Sequence, residues 1–167
     1  GYDVTIYEAN EKAGGVLTYG IVPSRLPQEV VDFDIATIEK LGVTFKFNET
    51  IDAARLEELK AEYDAVFVGT GLWKSKVIDI PGKDLDGVVS AIDFLKDARL
   101  NKENMTLGDT VLVIGGGDVA MDCVTTAKQL GAKATIVYRR TIEEAPADID
   151  EVMAVQSMGI PIIQEFA

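Results

Sequence analysis

The sequence predicts an α/β protein of parallel sheets and crossover helices, and three features of its 167 residues predict it. Short β-branched or apolar runs alternate with segments of helical period, the pattern of strand-helix-strand units. The 15 glycines sit at the ends of these runs, where turns are needed, and do not gather into a linker. A glycine triplet, Gly115-Gly116-Gly117, falls directly after one apolar run and directly before a helical one.

Taken in order, residues 3–7 (Asp-Val-Thr-Ile-Tyr) read as a short strand closing on Glu8, followed by a glycine-rich loop from Ala13 to Gly20. Pro27 opens a helix in which Val30, Val31, Phe33, Asp34, Ile35, Ile38 and Leu41 recur at helical spacing until Gly42 stops it. An alternating strand, Val43 to Phe47, and a helix from about Ala53 to Glu62 lead to a buried strand, Ala65-Val66-Phe67-Val68, which ends at Gly69-Thr70-Gly71. Residues 72–89 are turn-rich, with Ile80-Pro81-Gly82 and Asp86-Gly87, and mark a domain crossing.

The second half repeats the scheme. A helix from Ala91 to Leu100 precedes the continuous apolar strand Thr110 to Ile114, the glycine turn, a helix from Val119 to Leu130 ended by Gly131, and the strand Ala134 to Tyr138. Beyond Pro146, a helix from about Ile149 to Met158 stops at Gly159, and Ile160 to Ile163 forms a last strand. Met153 and Met158 are expected to fill the core.

Composition narrows the chemistry. A net charge of -12 repels phosphate backbones and anionic lipid, so nucleic acid and membrane surfaces are poor partners. The one cysteine, Cys123, excludes an intrachain disulfide, a Cys-x-x-Cys pair and an iron-sulfur cluster held by this chain alone, and the absence of histidine removes the usual zinc ligand and general base. No metal site and no catalytic acid-base pair is visible, so redox chemistry here requires a bound organic cofactor. No apolar run reaches the roughly 20 residues of a membrane helix, and a cytoplasmic setting is the default expectation.

Gly115-Gly116-Gly117-Asp118-Val119-Ala120 fits the dinucleotide fingerprint G-x-G-x-x-A in its required context. Gly115 permits a tight turn, Gly117 lets backbone approach a pyrophosphate, Ala120 lets helix and strand pack closely, and free N–H groups at the helix start receive the phosphates. A glycine-rich turn without a ligand is the alternative. The next strand ends in Tyr138-Arg139-Arg140, where this fold commonly carries an acid for a ribose diol; two guanidinium groups suit a 2′-phosphate and favour NADP(H). The alternative there is a surface arginine pair in salt bridges with Glu143 and Glu144. Asp122 and Cys123 read as a turn residue and a small packed residue of the same helix.

The opening run Val4-Thr-Ile-Tyr-Glu8 resembles Ala134-Thr-Ile-Val-Tyr-Arg139, with an acid in place of arginine. Glu8 then suits an unphosphorylated adenosine ribose, as in FAD, or is a solvated strand end. Because the chain opens on what reads as a second strand, with no glycine-rich first turn in front of it, it is expected to be a fragment.

The strings Gly14-Gly-Val-Leu-Thr-Tyr-Gly20, Arg25-Leu-Pro27, Val68-Gly-Thr-Gly71, Val113-Ile-Gly-Gly-Gly-Asp-Val-Ala-Met-Asp122 and Val137-Tyr-Arg-Arg-Thr141 resemble the small (beta) subunit of glutamate synthase. That family includes the N-terminal region of dihydropyrimidine dehydrogenase and the large subunit of the electron-bifurcating transhydrogenase, and the resemblance covers nearly the whole chain. It implies a two-dinucleotide-binding-domain (Rossmann-like) flavoprotein fold: a partial FAD-binding domain over residues 1–72, expected to lack its first strand and glycine loop, and an NAD(P)-binding domain over 73–167, expected to be incomplete at its C-terminal end. NADPH on the second would pass hydride to FAD on the first, with electrons continuing to iron-sulfur clusters or a partner subunit.

Carried over by position, Glu8 meets the FAD ribose, Gly14, Gly15 and Leu17 line the flavin side, Arg25 sits near the cofactor, and Thr70 and Gly71 form the turn beside the FAD pyrophosphate. Gly115, Gly117, Asp118, Val119 and Ala120 cradle NADPH, with Arg139 and Arg140 on its 2′-phosphate. Asp118-Val119 departs from the Asn-Thr usual in the family and puts an acid near the pyrophosphate. A docking or electron-relay module with weakened nucleotide affinity is therefore the second reading. A flavin-free reductase is the third, and it lacks a placed proton donor.

Overall fold

The computed structural model describes residues 1–76, 78–102 and 104–165. The chain divides into two compact units, Gly1–Trp73 and Lys74–Ala167.

In the first unit, strand β1 (Thr5–Glu8) and strand β2 (Thr44–Phe47) pair in parallel, with Glu8 opposite Phe47. Helix α1 (Val16–Tyr19) stands inside the segment expected to be a loop, its four residues held by Gly15 and Gly20 at either end. Helix α2 (Gln28–Lys40) follows Pro27, which serves as its N-cap residue and not as its first helical residue. Helix α3 (Ala53–Glu62) begins where the Asp52 carboxylate accepts the Arg55 N–H at 2.8 Å. The core here is thin: Tyr19 is fully buried, its ring 6.5 Å from that of Trp73, with Ala13, Thr18, Val31 and Leu59 also buried.

The expected buried strand at 65–68 does not form. These residues are not in a ladder, and Phe67 is 93% exposed. A strand exists only through its partner's hydrogen bonds, and in this two-stranded sheet, among the described residues, no third strand joins β1 and β2.

The second unit is better filled. Helix α4 (Ala91–Leu100) is capped by Ser90, whose hydroxyl accepts the Asp93 N–H at 3.2 Å. Strand β3 (Thr110–Ile114), helix α5 (Asp118–Gln129), strand β4 (Lys133–Val137), a short 3-10 turn (Ile142–Glu144), helix α6 (Ile149–Ser157) and strand β5 (Ile162–Ile163) complete it. The strands lie in the order β3-β4-β5, all parallel. On α5 the residues Ala120, Met121, Cys123, Val124 and Ala127 recur at helical spacing and are buried. They meet Ala134 and Ile136 of β4 and are joined in the core by Phe94, Leu95 and Ala98 of α4 and Val152 and Val155 of α6.

The helical layer covers one face of this sheet. On the other, Leu112 and Ile114 of β3 are 62% and 55% exposed. Met153, expected in the core, is 58% exposed, because the buried stripe of α6 runs through Val152 and Val155, and the residue after Val152 lies about 100° around the helix. Among the described residues no helix is long and apolar enough to cross a membrane.

Candidate functional site

The second unit brings five of the candidate residues together in one turn. Gly115 has φ +149°, which side-chain-bearing residues rarely adopt, and a Cβ there would lie 3.3 Å from that of Ala120. Its N–H donates to Val137 O at 3.1 Å, so the turn is anchored to the end of the neighbouring strand. Around Gly117 the space is open: a Cβ would meet only Pro146 Cγ, at 3.8 Å.

Helix α5 starts from this turn. Its first internal hydrogen bonds run from Ala120 and Met121 N–H to Gly117 O. Among the described residues, the N–H groups of Gly116, Gly117, Asp118 and Val119 have no protein acceptor. Four donors at the positive end of a 12-residue helix make a cradle suited to phosphate oxygens.

Arg139 and Arg140 leave the end of β4 two residues after the carbonyl that holds Gly115, and both are exposed. The salt bridges to Glu143 and Glu144 do not form: among the described residues neither guanidinium has a carboxylate within 4.0 Å. Glu144 is engaged elsewhere, its carboxylate accepting the Thr141 N–H and hydroxyl at 3.3 Å each in a capping box.

Sequence reasoning missed the segment that follows the arginines. The Tyr138 ring lies against Gly116, where a Cβ would be 2.6 to 2.8 Å from its atoms, and its hydroxyl donates to Glu144 O at 3.2 Å. Ala147 N–H donates to Gly116 O at 3.1 Å, and Asp148 N–H donates to Asp118 Oδ1 at 2.8 Å. The one sequence signal was Pro146 beside Asp148, the N-cap residue of α6.

Cys123 is buried and packed, its Sγ 3.9 Å from Ala91 O, and burial pushes its thiol up from about 9 to about 12, with Asp122 adding to the shift. The folded chain should therefore resist iodoacetamide at pH 8 and react fully once unfolded; rapid labelling of the folded chain would show an accessible thiolate. Since the folded thiol holds its proton to a higher pH than the unfolded one, its contribution to stability is complete below about pH 9 and declines as pH rises from 9 toward 12.

In the first unit Glu8 ends β1, and its Oε1 accepts both the N–H and the side-chain amide of Asn10 at 2.8 Å each. Gly14 (φ +107°) and Gly15 (φ +52°) open α1; a Cβ on Gly14 would fall onto the Thr18 hydroxyl, which donates to Ala13 O at 2.7 Å, whereas Gly15 faces open space. Leu17 and Arg25 are exposed, and Thr70 and Gly71 lie in exposed chain outside any element. Beside Glu8, the Tyr7 hydroxyl shares a hydrogen bond with Tyr63 at 3.0 Å and accepts one from Lys46 at 3.2 Å, contacts that hold it below the usual phenol range. Among the described residues no cluster of metal-ligating side chains occurs.

A strand, a glycine turn opening a helix, and a parallel neighbour followed by two exposed arginines define a dinucleotide-binding α/β protein. The family pattern described as pyridine nucleotide-disulphide oxidoreductase matches residues 1–163, and the chain belongs to that family. It is 45% identical over 168 residues to the NAD-dependent dihydropyrimidine dehydrogenase subunit PreT of Escherichia coli (strain K12), covering 99% of this chain and 40% of that protein. It is 35% identical over 184 residues to the glutamate synthase [NADPH] small chain of Azospirillum brasilense, covering 100% of this chain and 37% of that protein. The resemblance read from the motifs is met in both.

The chain thus spans about two fifths of the length of these relatives. Among solved structures, a 2-naphthoyl-CoA reductase complex matches the whole chain with TM-score 0.79 at 23% identity, and the chain covers 25% of that protein; this likeness concerns the fold.

Proposed function

We propose that this chain supplies the NADPH-binding region and part of the FAD-binding region of an oxidoreductase related to the glutamate synthase small subunit. The observation that carries the reading is the placement on adjacent strands, among the described residues, of four N–H groups without a protein acceptor at Gly116–Val119 and two guanidinium groups without a carboxylate partner after β4. The amides and the start of α5 would hold the pyrophosphate, Gly117 would let it approach, and Arg139 and Arg140 would pair with the 2′-phosphate. In the first unit Glu8, with Oε1 already fixed by Asn10, would present Oε2 to the ribose of FAD. Gly14, Gly15, Leu17, Arg25, Thr70 and Gly71 would line the flavin side.

When bound, the nicotinamide would supply a hydride to the flavin, which would pass its two electrons on singly and release the accompanying proton. The chain's own residues bind and orient, since no general acid or base is needed at the transfer. Because its relatives are more than twice as long, flavin binding would be shared with segments beyond these 167 residues, and electrons would leave for iron-sulfur clusters or a partner subunit. A cytoplasmic setting suits such a redox subunit.

The names of the relatives divide between NAD and NADPH, so nucleotide choice is the property to measure. Calorimetric titration should give tighter binding of NADPH than of NADH, by about tenfold or more, as expected for charge-assisted contacts to one added phosphate. Equal affinities would remove the role given to the arginines. Failure of both nucleotides to bind would favour the docking-module reading.

A further inference from the structure

We infer that the Asp118 carboxylate works as a positioning latch: it fastens the segment that carries the arginine pair to the glycine turn, and it does so as a hydrogen-bond acceptor and not through its charge. The inference rests on the nucleotide reading above and extends it to how the two halves of that site are held together.

Residues 138–148 start at β4, carry Arg139 and Arg140, and return to the glycine turn at three points. The Tyr138 ring lies on Gly116, Ala147 N–H donates to Gly116 O at 3.1 Å, and Asp148 N–H donates to Asp118 Oδ1 at 2.8 Å. The third point differs from the others. Asp118 is the first residue of α5 and Asp148 caps α6, so one hydrogen bond ties the starts of two helices 30 residues apart in sequence. It is exposed, so beyond Asp118 little shields the Asp148 amide from solvent.

Between the first and third points the segment is stiffened by the capping box of Thr141 with Glu144 and by Ile142 N–H donating to Gln164 Oε1 at 2.6 Å. Release at Asp148 would therefore loosen a braced segment as a whole, with the arginines at its base.

The same carboxylate carries a negative charge at the turn where the pyrophosphate would lie, and a charge there opposes the dianionic pyrophosphate. Its acceptor oxygen and its charge thus act in opposite directions on nucleotide binding, and asparagine separates them. Asp118→Asn keeps an Oδ1 to accept the Asp148 N–H and drops the charge; Asp118→Ala drops both.

The test combines amide hydrogen exchange at Asp148 without ligand and NADPH titration, on the 167-residue chain and both variants. Exchange at Asp148 should rise roughly tenfold in Asp118→Ala and stay within about twofold in Asp118→Asn, as loss or retention of one hydrogen bond to the Asp148 amide requires. NADPH should bind Asp118→Asn roughly two- to tenfold more tightly than the parent chain, and Asp118→Ala more weakly than Asp118→Asn by roughly tenfold. A carboxylate without a positioning role would let Asp118→Ala bind NADPH as tightly as Asp118→Asn, since both variants drop the charge and only asparagine keeps the acceptor for the Asp148 N–H.

Unchanged exchange at Asp148 in Asp118→Ala overturns the latch, whatever the nucleotide does. If exchange behaves as stated but no chain binds NADPH, the latch stands and the nucleotide reading fails. If the parent chain binds NADPH and both variants bind it equally, the positioning role is refuted.

Discussion

Replacing Ile136 with alanine should remove about 2–5 kcal/mol from the stability of the second unit, the range for emptying a fully buried aliphatic site. Ile136 has no exposed surface, lies in the middle strand of β3-β4-β5, and is paired with Val113 on one side and Ile162 on the other. Its backbone N–H is held by Pro161 O at 2.9 Å, so the strand cannot slide to refill the space its side chain leaves under α5. Domains of this size commonly have only 5–15 kcal/mol in total. Urea unfolding followed by circular dichroism should show a much lower midpoint with an unchanged slope. Leu112→Ala is the control: on the uncovered face of the same sheet it should change stability by about 0.5 kcal/mol or less. A reversal of the two effects would mean that the helices cover the other face.

The second large effect distinguishes neighbouring glycines. Gly117→Val should fold and lose roughly ten- to a hundredfold in NADPH affinity. Its side chain would enter space that in the protein alone is bounded only by Pro146, yet that space is where the pyrophosphate would lie against the backbone. Forcing atoms into a filled contact costs about 1–3 kcal/mol, which sets that loss. Gly116→Ala should do the reverse, costing stability first, because its Cβ would collide with the ring of buried Tyr138, whose hydroxyl is tied to Glu144 O. Thermal melts and titrations on the two variants check this. Loss of folding in Gly117→Val together with a stable Gly116→Ala would contradict the geometry of the turn.

Much of this second site was legible because its signals are local. The apolar run of β3, the glycines, the apolar spacing of α5 and the arginines that follow β4 each declare themselves within a few residues, and the parallel pairing follows from the crossover helix. What was not legible depends on partners far along the chain. Ala65–Val68 carries every local mark of a buried strand, but pairing is a property of two strands, and the composition of one cannot declare the other. The rotation of α6 that leaves Met153 outside is set by its packing on α5. Asp118 was read as an acid facing a pyrophosphate; the structure gives its oxygen to Asp148, a partner 30 residues away that no local pattern connects to it. The capture of Glu144 by Thr141, in place of a salt bridge to either arginine, likewise emerges only with the 3-10 turn in place.

The central claim is that Arg139 and Arg140 complete a nucleotide site begun at the glycine turn and select a 2′-phosphate. Its most direct test is calorimetric titration of NADPH and NADH into the 167-residue chain and into the Arg139→Ala plus Arg140→Ala variant. The variant should keep its NADH affinity, because the turn and its amides are untouched, and lose most of its preference for NADPH. A variant that retains the full preference, or a parent chain with none, would contradict it.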